Sequence, residues 1–299
     1  MGLDFNCALC GGTVGNKIPF RYLFKERFLW GVRCSKCKLT VILPQPSVDE
    51  ITEMYASDYF TVADKQTHHG DTDYISATAN VDFTEAVKSF KQHSDGGNFL
   101  EIGCATGGLL VALRNNGFNV TGVEISSFAA EKGIKDHGLN IINKSFTKDL
   151  VGKELPENHF DIVYMGDVLE HFTNPVEELR NINRILKKGG CVIAEVPSTL
   201  NLISSRIAFL IYRLTGKQKT MTIPPYHLTE FFPDTLKKTF KGTGYETVNI
   251  KQNVKHPSTI PLRHSWAENV AKLILQYPNY YITKYFGILG DRMTAVARK

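Results

Sequence analysis

The stretch 98–108, Asn-Phe-Leu-Glu-Ile-Gly-Cys-Ala-Thr-Gly-Gly, constrains this chain more than any other. It reads as a short apolar strand that ends in a tight glycine turn and opens a helix over 109–116. A second strand follows over 119–123 and closes on an acid, Glu124. Strand, glycine loop, helix, strand and acid are the layout of a nucleoside-binding half-sheet. In that layout the loop backbone hugs the ligand and the acid bonds the ribose hydroxyls.

The glycine spacing selects among nucleosides. A dinucleotide fingerprint is G-x-G-x-x-G, with its second glycine admitting a pyrophosphate against the backbone. Here Ala105 stands two residues after Gly103, and the next glycine is Gly107. A cofactor without phosphates fits this loop better. Through Glu101, Gly103, Ala105 and Gly107 it resembles motif I of the class I S-adenosylmethionine-dependent methyltransferases, E/D-x-G-x-G/A-x-G.

Downstream, strands and helices alternate, the pattern of a doubly wound α/β sheet. The predicted order is a helix over 126–137, a strand over 139–142 and a strand over 161–165. A helix over 175–187 follows, with Val176, Leu179, Ile182, Ile185 and Leu186 at helical spacing and Gly189-Gly190 as its stop. A strand is then expected over 191–196, and a final hairpin pair over 245–250 and 292–297. The expectation is a Rossmann-like, mostly parallel seven-stranded sheet with an antiparallel last strand. Its domain spans 96–299, with lid or insertion segments near 198–232 and 251–290.

Ahead of that domain lie two C-x-x-C pairs, Cys7/Cys10 and Cys34/Cys37, while Cys104 and Cys191 stand alone. Each pair offers two thiolates from one turn, and two pairs close a tetrahedron, so residues 1–45 read as a four-cysteine ribbon holding structural Zn²⁺. A redox dithiol is the competing reading. The aromatic residues Phe20, Tyr22, Phe24, Phe28 and Trp30 between the pairs predict a hairpin beside the metal. So small a module has little core, and the metal would supply its folding energy. Residues 46–95 form a helical linker region. In it Ser47 and Glu50 make a capping box for a short helix through Ile51, Met54 and Tyr55, and another helix is expected near 80–92. The polar stretch 58–73, with His68-His69-Gly70, reads as a loop whose histidines are solvated.

An apolar fraction of 42% and a charged fraction of 22% suit a globular chain and exclude a disordered one. No basic-then-apolar leader opens the sequence and no apolar run is long enough to span a bilayer, so the expected location is the cytoplasm.

From the ribbon onward the motifs keep one order. A Pro-rich link and Asp58-Tyr59-Phe60 precede the glycine loop; after it come D-V-L-E-H (167–171), L-K-x-G-G (186–190) and H-L-x-x-F-x-P-x-T-L (227–236). The whole resembles the zinc-ribbon-bearing branch of small-molecule class I methyltransferases, many of which act in bacterial polysaccharide or natural-product pathways. The resemblance implies S-adenosylmethionine as cofactor and methyl transfer, most naturally to an oxygen of a small molecule or a sugar- or lipid-linked precursor. It implies that Glu101, Gly103, Cys104, Ala105 and Gly107 meet the methionine part and ribose, that Glu124 chelates the ribose diol, and that Ile125 packs on the adenine. Where the family often has an acid for the adenine amine, this chain reads Asn143-Lys144-Ser145-Phe146, leaving Ser145, Phe146 or backbone to make the contact. Asp167 lies at the cofactor rim.

His171 and His227 are the candidate catalytic residues, since an aliphatic hydroxyl is a poor nucleophile and an imidazole can take its proton. The same Asp167-x-x-Glu170-His171 pattern with the later His227 also suits a catalytic Mg²⁺ held beside a hydroxyl pair, and structural roles for Glu170 and His227 stay open as well. The segment 200–214 places Ile203, Ile207, Leu210, Ile211 and Leu214 on one helical face, with Arg206, Arg213, Lys217 and Lys219 alongside. It reads as a lid or dimer contact, or as a basic amphipathic helix in peripheral contact with a membrane, where the aromatic-rich 266–285 would join it. Two other functions compete. One is an RNA methyltransferase whose ribbon cations, Lys17, Arg21, Lys25, Arg27, Arg33, Lys36 and Lys38, bind nucleic acid; the large domain has no matching basic run. The other is a non-enzymatic interaction protein with a degenerate cofactor fold. Oligomeric state is not legible.

Overall fold

Short strands near the N-terminus alternate in burial, as a one-sided sheet requires. The computed structural model describes residues 2–55, 59, 81–259 and 266–299. Asp58, Phe60, His68 and His69 lie outside the described residues. Strands β1 (Gly2–Asp4), β2 (Val14–Phe24), β3 (Arg27–Cys34) and β4 (Thr40–Leu43) pair antiparallel in sequence order. The β2–β3 hairpin turns through Lys25 and Glu26, both left-handed at φ 45° and 63°, as a two-residue turn matched to strand twist demands. Phe20 and Tyr22 point inward with Ile18, Leu29 and Ile42 to form a small core. Helix α1 (Val48–Met54) begins in the predicted capping box, the Ser47 hydroxyl accepting from the Glu50 N–H and the Glu50 carboxylate accepting from the Ser47 N–H.

Helix α2 (Thr84–Lys91) leads to the second sheet: β5 (Gly97–Ile102), α3 (Gly108–Arg114), β6 (Phe118–Val123), α4 (Ser127–His137), β7 (Ile141–Ile142) and β8 (Phe160–Gly166). Helix α5 (Pro175–Ile185) and strand β9 (Leu186–Pro197) follow. The helix ends four residues before Gly189, the predicted stop. Leu186 is already extended, and Gly189-Gly190 lie inside an irregular β9 whose pairing with β8 slips between Phe160 and Ile162. After β9 come α6 (Ile203–Thr215), β10 (Lys219–Met221), β11 (Thr229–Glu230), α7 (Pro233–Lys241), β12 (Thr247–Asn253), α8 (Trp266–Phe286) and β13 (Arg292–Arg298).

The large sheet has seven strands in the order β12-β13-β9-β8-β5-β6-β7. Its strands are parallel except β13, which runs antiparallel to both β12 and β9. This is the expected α/β architecture. Phe99, Leu100, Ile162 and Val163 on the central strands are fully buried, as strands covered on both faces should be. No helix among the described residues is long and apolar enough to cross a membrane.

The small sheet does not end with the N-terminal segment. β10 lies parallel beside β2, and β11 pairs antiparallel with β4, so two strands from 219–230 complete it at six. Glu230 of β11 is buried there, and burial followed by the nearby Glu170 charge pushes its carboxyl up to about 8 from a reference of 4.5. The folded state therefore holds a proton that the unfolded chain releases near 4.5, so stability is full below that value and declines as pH rises toward about 8. Glu230→Gln is expected to flatten the pH dependence of the urea unfolding free energy in this window by roughly 2–4 kcal/mol. An unchanged slope would reject the assignment.

Candidate active site

The glycine loop leaves β5 through three left-handed residues at alternate positions, Gly103 (φ 76°), Ala105 (φ 49°) and Gly107 (φ 78°). A Cβ on Gly103 would lie 2.4 Å from Val168 Cγ2, and one on Gly107 would lie 2.2 Å from Leu139 Cδ1, so a side chain at either would displace a neighbour besides straining φ. The loop is tied to the next strand by Glu124, whose Oε2 accepts the Ala105 N–H and whose Oε1 accepts the Ser126 N–H, each at 2.8 Å. Burial raises the Glu124 pKa, while backbone hydrogen bonds from Ser126, Ala105 and Ile125 oppose it. Each carboxylate oxygen keeps accepting capacity after one bond.

Glu124 lines a cavity of about 250 Å³ with Gly103, Ala105, Ile125, Ser145, Phe146 and Asp167. Glu101, Cys104 and Gly107, expected to meet the cofactor, are not among the residues that line it. The Cys104 thiol packs where a Cβ on Gly122 would go, and Gly107 starts α3. Glu101 is fully enclosed; burial and then the Glu124 charge hold its carboxyl well above the usual range, and its Oε2 has no hydrogen-bond partner. A buried acceptor without a donor beside a glycine-walled cavity fits a ligand with an ammonium group and a diol. Those are the polar ends of S-adenosylmethionine.

At the other end of the cavity a 3₁₀ turn, Leu169–His171, follows β8 and buries Glu170 to 1% exposure. Glu170 Oε1 lies 3.4 Å from His171 Nε2 and 4.0 Å from His227 Nε2, and the two imidazole centroids are 5.3 Å apart. Neither Glu170 oxygen has a hydrogen-bond partner, nor has His171 Nε2. Burial alone would raise the Glu170 carboxyl, but the charges of His171 and His227 outweigh it and the net shift is downward. His171 Nδ1 meets the Tyr55 hydroxyl at 2.5 Å, which fixes the ring from its other side. One ligand atom from each of Glu170, His171 and His227 falls within 4.8 Å of the others.

Asp167 departs from this group. It sits in the left-handed region at φ 54°, and its carboxylate takes both bonds from Arg292 Nη1, at 2.8 and 3.0 Å. Burial first and the neighbouring Glu170 next raise its pKa, with Arg292 opposing. Asp167 shares no helical face with Glu170 and His171, because the turn becomes helical only at Leu169.

Residues 76–250 match a family model described as a methyltransferase domain, more than half of the chain. The chain belongs to this methyltransferase family. Among curated relatives, the ubiquinone biosynthesis O-methyltransferase of Pseudomonas fluorescens Pf0-1 is 29% identical over 139 residues, which are 46% of this chain and 57% of that protein. The 2-methyl-6-phytyl-1,4-hydroquinone methyltransferase of Synechocystis is 25% identical over 153 residues, 48% of this chain and 46% of that protein. The chain thus spans about half the length of these curated relatives. A solved SAM-dependent methyltransferase from Archaeoglobus fulgidus superposes with a TM-score of 0.50 at 21% identity, covering 72% of this chain and 92% of that one, and shares the fold.

Three tyrosines gather beside His171 that were not among the expected site residues, although Tyr59 belongs to the Asp58-Tyr59-Phe60 motif. The rings of Tyr55, Tyr59 and Tyr226 stand 5.2, 5.7 and 5.4 Å apart pairwise, and Tyr55 stacks near His171 at 6.0 Å. Tyr59 also packs on Ala105 and Ala129, linking the cofactor loop to the histidines. The i, i+4 spacing of Tyr55 and Tyr59 after a capped helix was the available signal. Arg292 had none.

The ribbon cysteines converge as their spacing requires. Cys7 and Cys37 sulfurs are 3.5 Å apart, Cys10 and Cys34 sulfurs 3.6 Å, and all four lie within 4.8 Å of one another with no disulfide among them. A tetrahedral zinc with bonds of about 2.3 Å sets neighbouring sulfurs roughly 3.8 Å apart, so the set could bind such an ion. The ribbon also touches the active site directly. Ile42 N–H of β4 donates to Leu228 O, and Leu228 N–H donates to Glu170 O, both at 2.9 Å. The residue after His227 is thereby pinned between the ribbon and the buried acid.

Proposed function

We infer that the chain transfers a methyl group from S-adenosylmethionine to an oxygen of a small or lipid-linked hydroxyl compound. The observation that carries this reading is the buried Glu170, flanked by His227 and by His171, the last of which lines the cavity that Glu124 also lines. The sulfonium of the cofactor supplies an activated methyl, so the protein's part is to orient the acceptor, exclude water and remove a proton. Glu124, which lines the cavity, would hold the ribose diol. His227 would take the acceptor proton, with the Glu170 carboxylate stabilising the imidazolium that forms. The Tyr55 hydroxyl holds the His171 ring from its Nδ1 side, and the Tyr55, Tyr59 and Tyr226 rings, inclined 58–64° to one another, give an aromatic cluster suited to an aromatic or prenylated acceptor. The names of the two curated relatives, one an O-methyltransferase of ubiquinone biosynthesis and the other a methyltransferase of a phytyl hydroquinone, support this class.

The nucleic-acid reading is weaker. Lys17 and Arg21 lie over the rings of Trp30 and Phe28 at 3.9 and 3.8 Å, and Lys25 and Arg27 pair with Glu53 and Glu50. Those cations are already engaged. For the cysteine set, structural zinc is the reading we adopt, held by Cys7, Cys10, Cys34 and Cys37.

One observation favours a second reading of the reaction. The partnerless oxygens of Glu170 and Nε2 of His171, with His227 beside them, are the donor set of a divalent cation. Glu170, His171 and His227 would then hold Mg²⁺ or a similar ion, which would polarise the acceptor oxygen.

His227→Ala is expected to lower kcat roughly 10²–10³-fold while leaving S-adenosylhomocysteine affinity unchanged. Turnover near the wild-type rate would reject the proton-transfer role. Dialysis against a mild chelator that spares the cysteine-bound metal separates the two readings. Loss of turnover restored by Mg²⁺ or Mn²⁺ selects the metal, and unchanged turnover selects the imidazole base.

A further inference from the structure

Helix α6 has no buried residue along its length. On one side Phe209, with Leu200, packs against Ile18, Phe20 and Tyr22 of the small sheet. Elsewhere on the helix Ile207, Leu210, Ile211 and Leu214 recur at the spacing of a core-facing stripe, yet they are 42–77% exposed. Asn279 Oδ1 of α8 accepts the Ile203 N–H at 2.8 Å, so the two helices touch. α8 repeats the pattern: Ile274, Tyr281, Tyr285 and Phe286 are 47–75% exposed. So many large apolar side chains exposed on two touching helices mark an interaction site rather than ordinary surface.

Charge identifies the occupant. Between Glu195 and Glu230 the sequence holds no acid, while Arg206, Arg213, Lys217 and Lys219 punctuate it. The run 213–219 is exposed throughout, and on α8 Lys284 is exposed beside Tyr280 and Tyr285. A second copy meeting this patch about a two-fold axis would set these cations against themselves. An anionic bilayer offers apolar depth to the leucines and negative headgroups to the lysines and arginines together. We propose that α6 and α8 form a docking face that lies in the surface of an anionic membrane. The segment that carries the face also carries His227, so docking brings the acceptor site to lipid-held substrate; that delivery role rests on the methyl-transfer reading, whereas docking itself does not.

The test is co-sedimentation of the intact protein with vesicles of phosphatidylcholine alone and of phosphatidylcholine with phosphatidylglycerol. Binding to the anionic vesicles is expected, and it should fall at least about tenfold in Leu210→Ser/Leu214→Ser. Arg213→Glu/Lys217→Glu should abolish the preference for anionic over neutral vesicles. Both double variants change exposed side chains, and unchanged S-adenosylhomocysteine affinity by calorimetry verifies their fold. Wild type that ignores anionic vesicles, or binds them equally in both double variants, overturns the proposal. So does a wild-type dimer in light scattering that Leu210→Ser/Leu214→Ser splits while vesicles are ignored. Vesicle binding without S-adenosylhomocysteine binding supports docking and removes the methyl-transfer reading; the converse result removes docking alone.

Discussion

Glu124→Ala is expected to weaken S-adenosylhomocysteine binding by roughly 10²–10³-fold, the cost of two to three charge-assisted hydrogen bonds at about 1.5–3 kcal/mol each less partial rescue by water. The change acts twice. It removes the acceptor proposed for the ribose diol, and it strips the Ala105 and Ser126 N–H groups of their partner. Ala105 is a non-glycine residue in the left-handed region, so the loop conformation itself leans on that bond. Glu124→Gln keeps the shape but replaces one accepting oxygen with a donor, and it should fall between wild type and Ala. Calorimetric titration reads all three, and an affinity for Glu124→Ala within a few-fold of wild type would show that the nucleoside sits elsewhere.

Replacing one ribbon thiolate, as in Cys34→Ser, is the second large effect. A four-thiolate zinc site contributes on the order of 10 kcal/mol to the fold it organises. The variant is expected to lose most of its zinc by elemental analysis. Turnover is expected to fall at least about tenfold, because the hydrogen bonds from Ile42 through Leu228 to Glu170 run straight from the ribbon sheet to the acceptor end of the site. Cofactor affinity should change far less, since β5, β6 and the glycine loop build that end without the ribbon. A zinc-free variant with normal turnover would refute both the metal's structural role and this mechanical link.

The glycine loop and the acid that closes the next strand were legible because their signals are local. Gly103 and Gly107 are required by backbone angles and by neighbours a Cβ would strike, and Glu124 closes the next strand. The four cysteines were legible for a similar reason, since each pair comes from one turn. The cluster around Glu170 was only half legible. His171 and His227 stand out by type, but Tyr55 reaches His171 across 116 residues and Arg292 reaches Asp167 across 125, and no periodicity encodes either contact. β10 and β11 were invisible for another reason. At three and two residues they are too short for alternation to register, and they exist only because an open strand edge waits for them. The end of α5 was misplaced because Gly189-Gly190 look like a stop, whereas the chain turns extended at Leu186 to reach the sheet.

The pairing of β4 with β11 also sets an order of events during synthesis. β4 ends at Leu43 and β11 begins at Thr229, so most of the large domain is translated between them. At about 5–20 residues per second the free edge of β4 stays open for roughly 10–40 s on the ribosome. Through that interval the nascent ribbon presents an unpaired strand to whatever else is being made nearby. A metal captured early would hold the hairpin together while the edge waits, so zinc supply is expected to govern the yield of correctly assembled chain as much as the stability of the finished one.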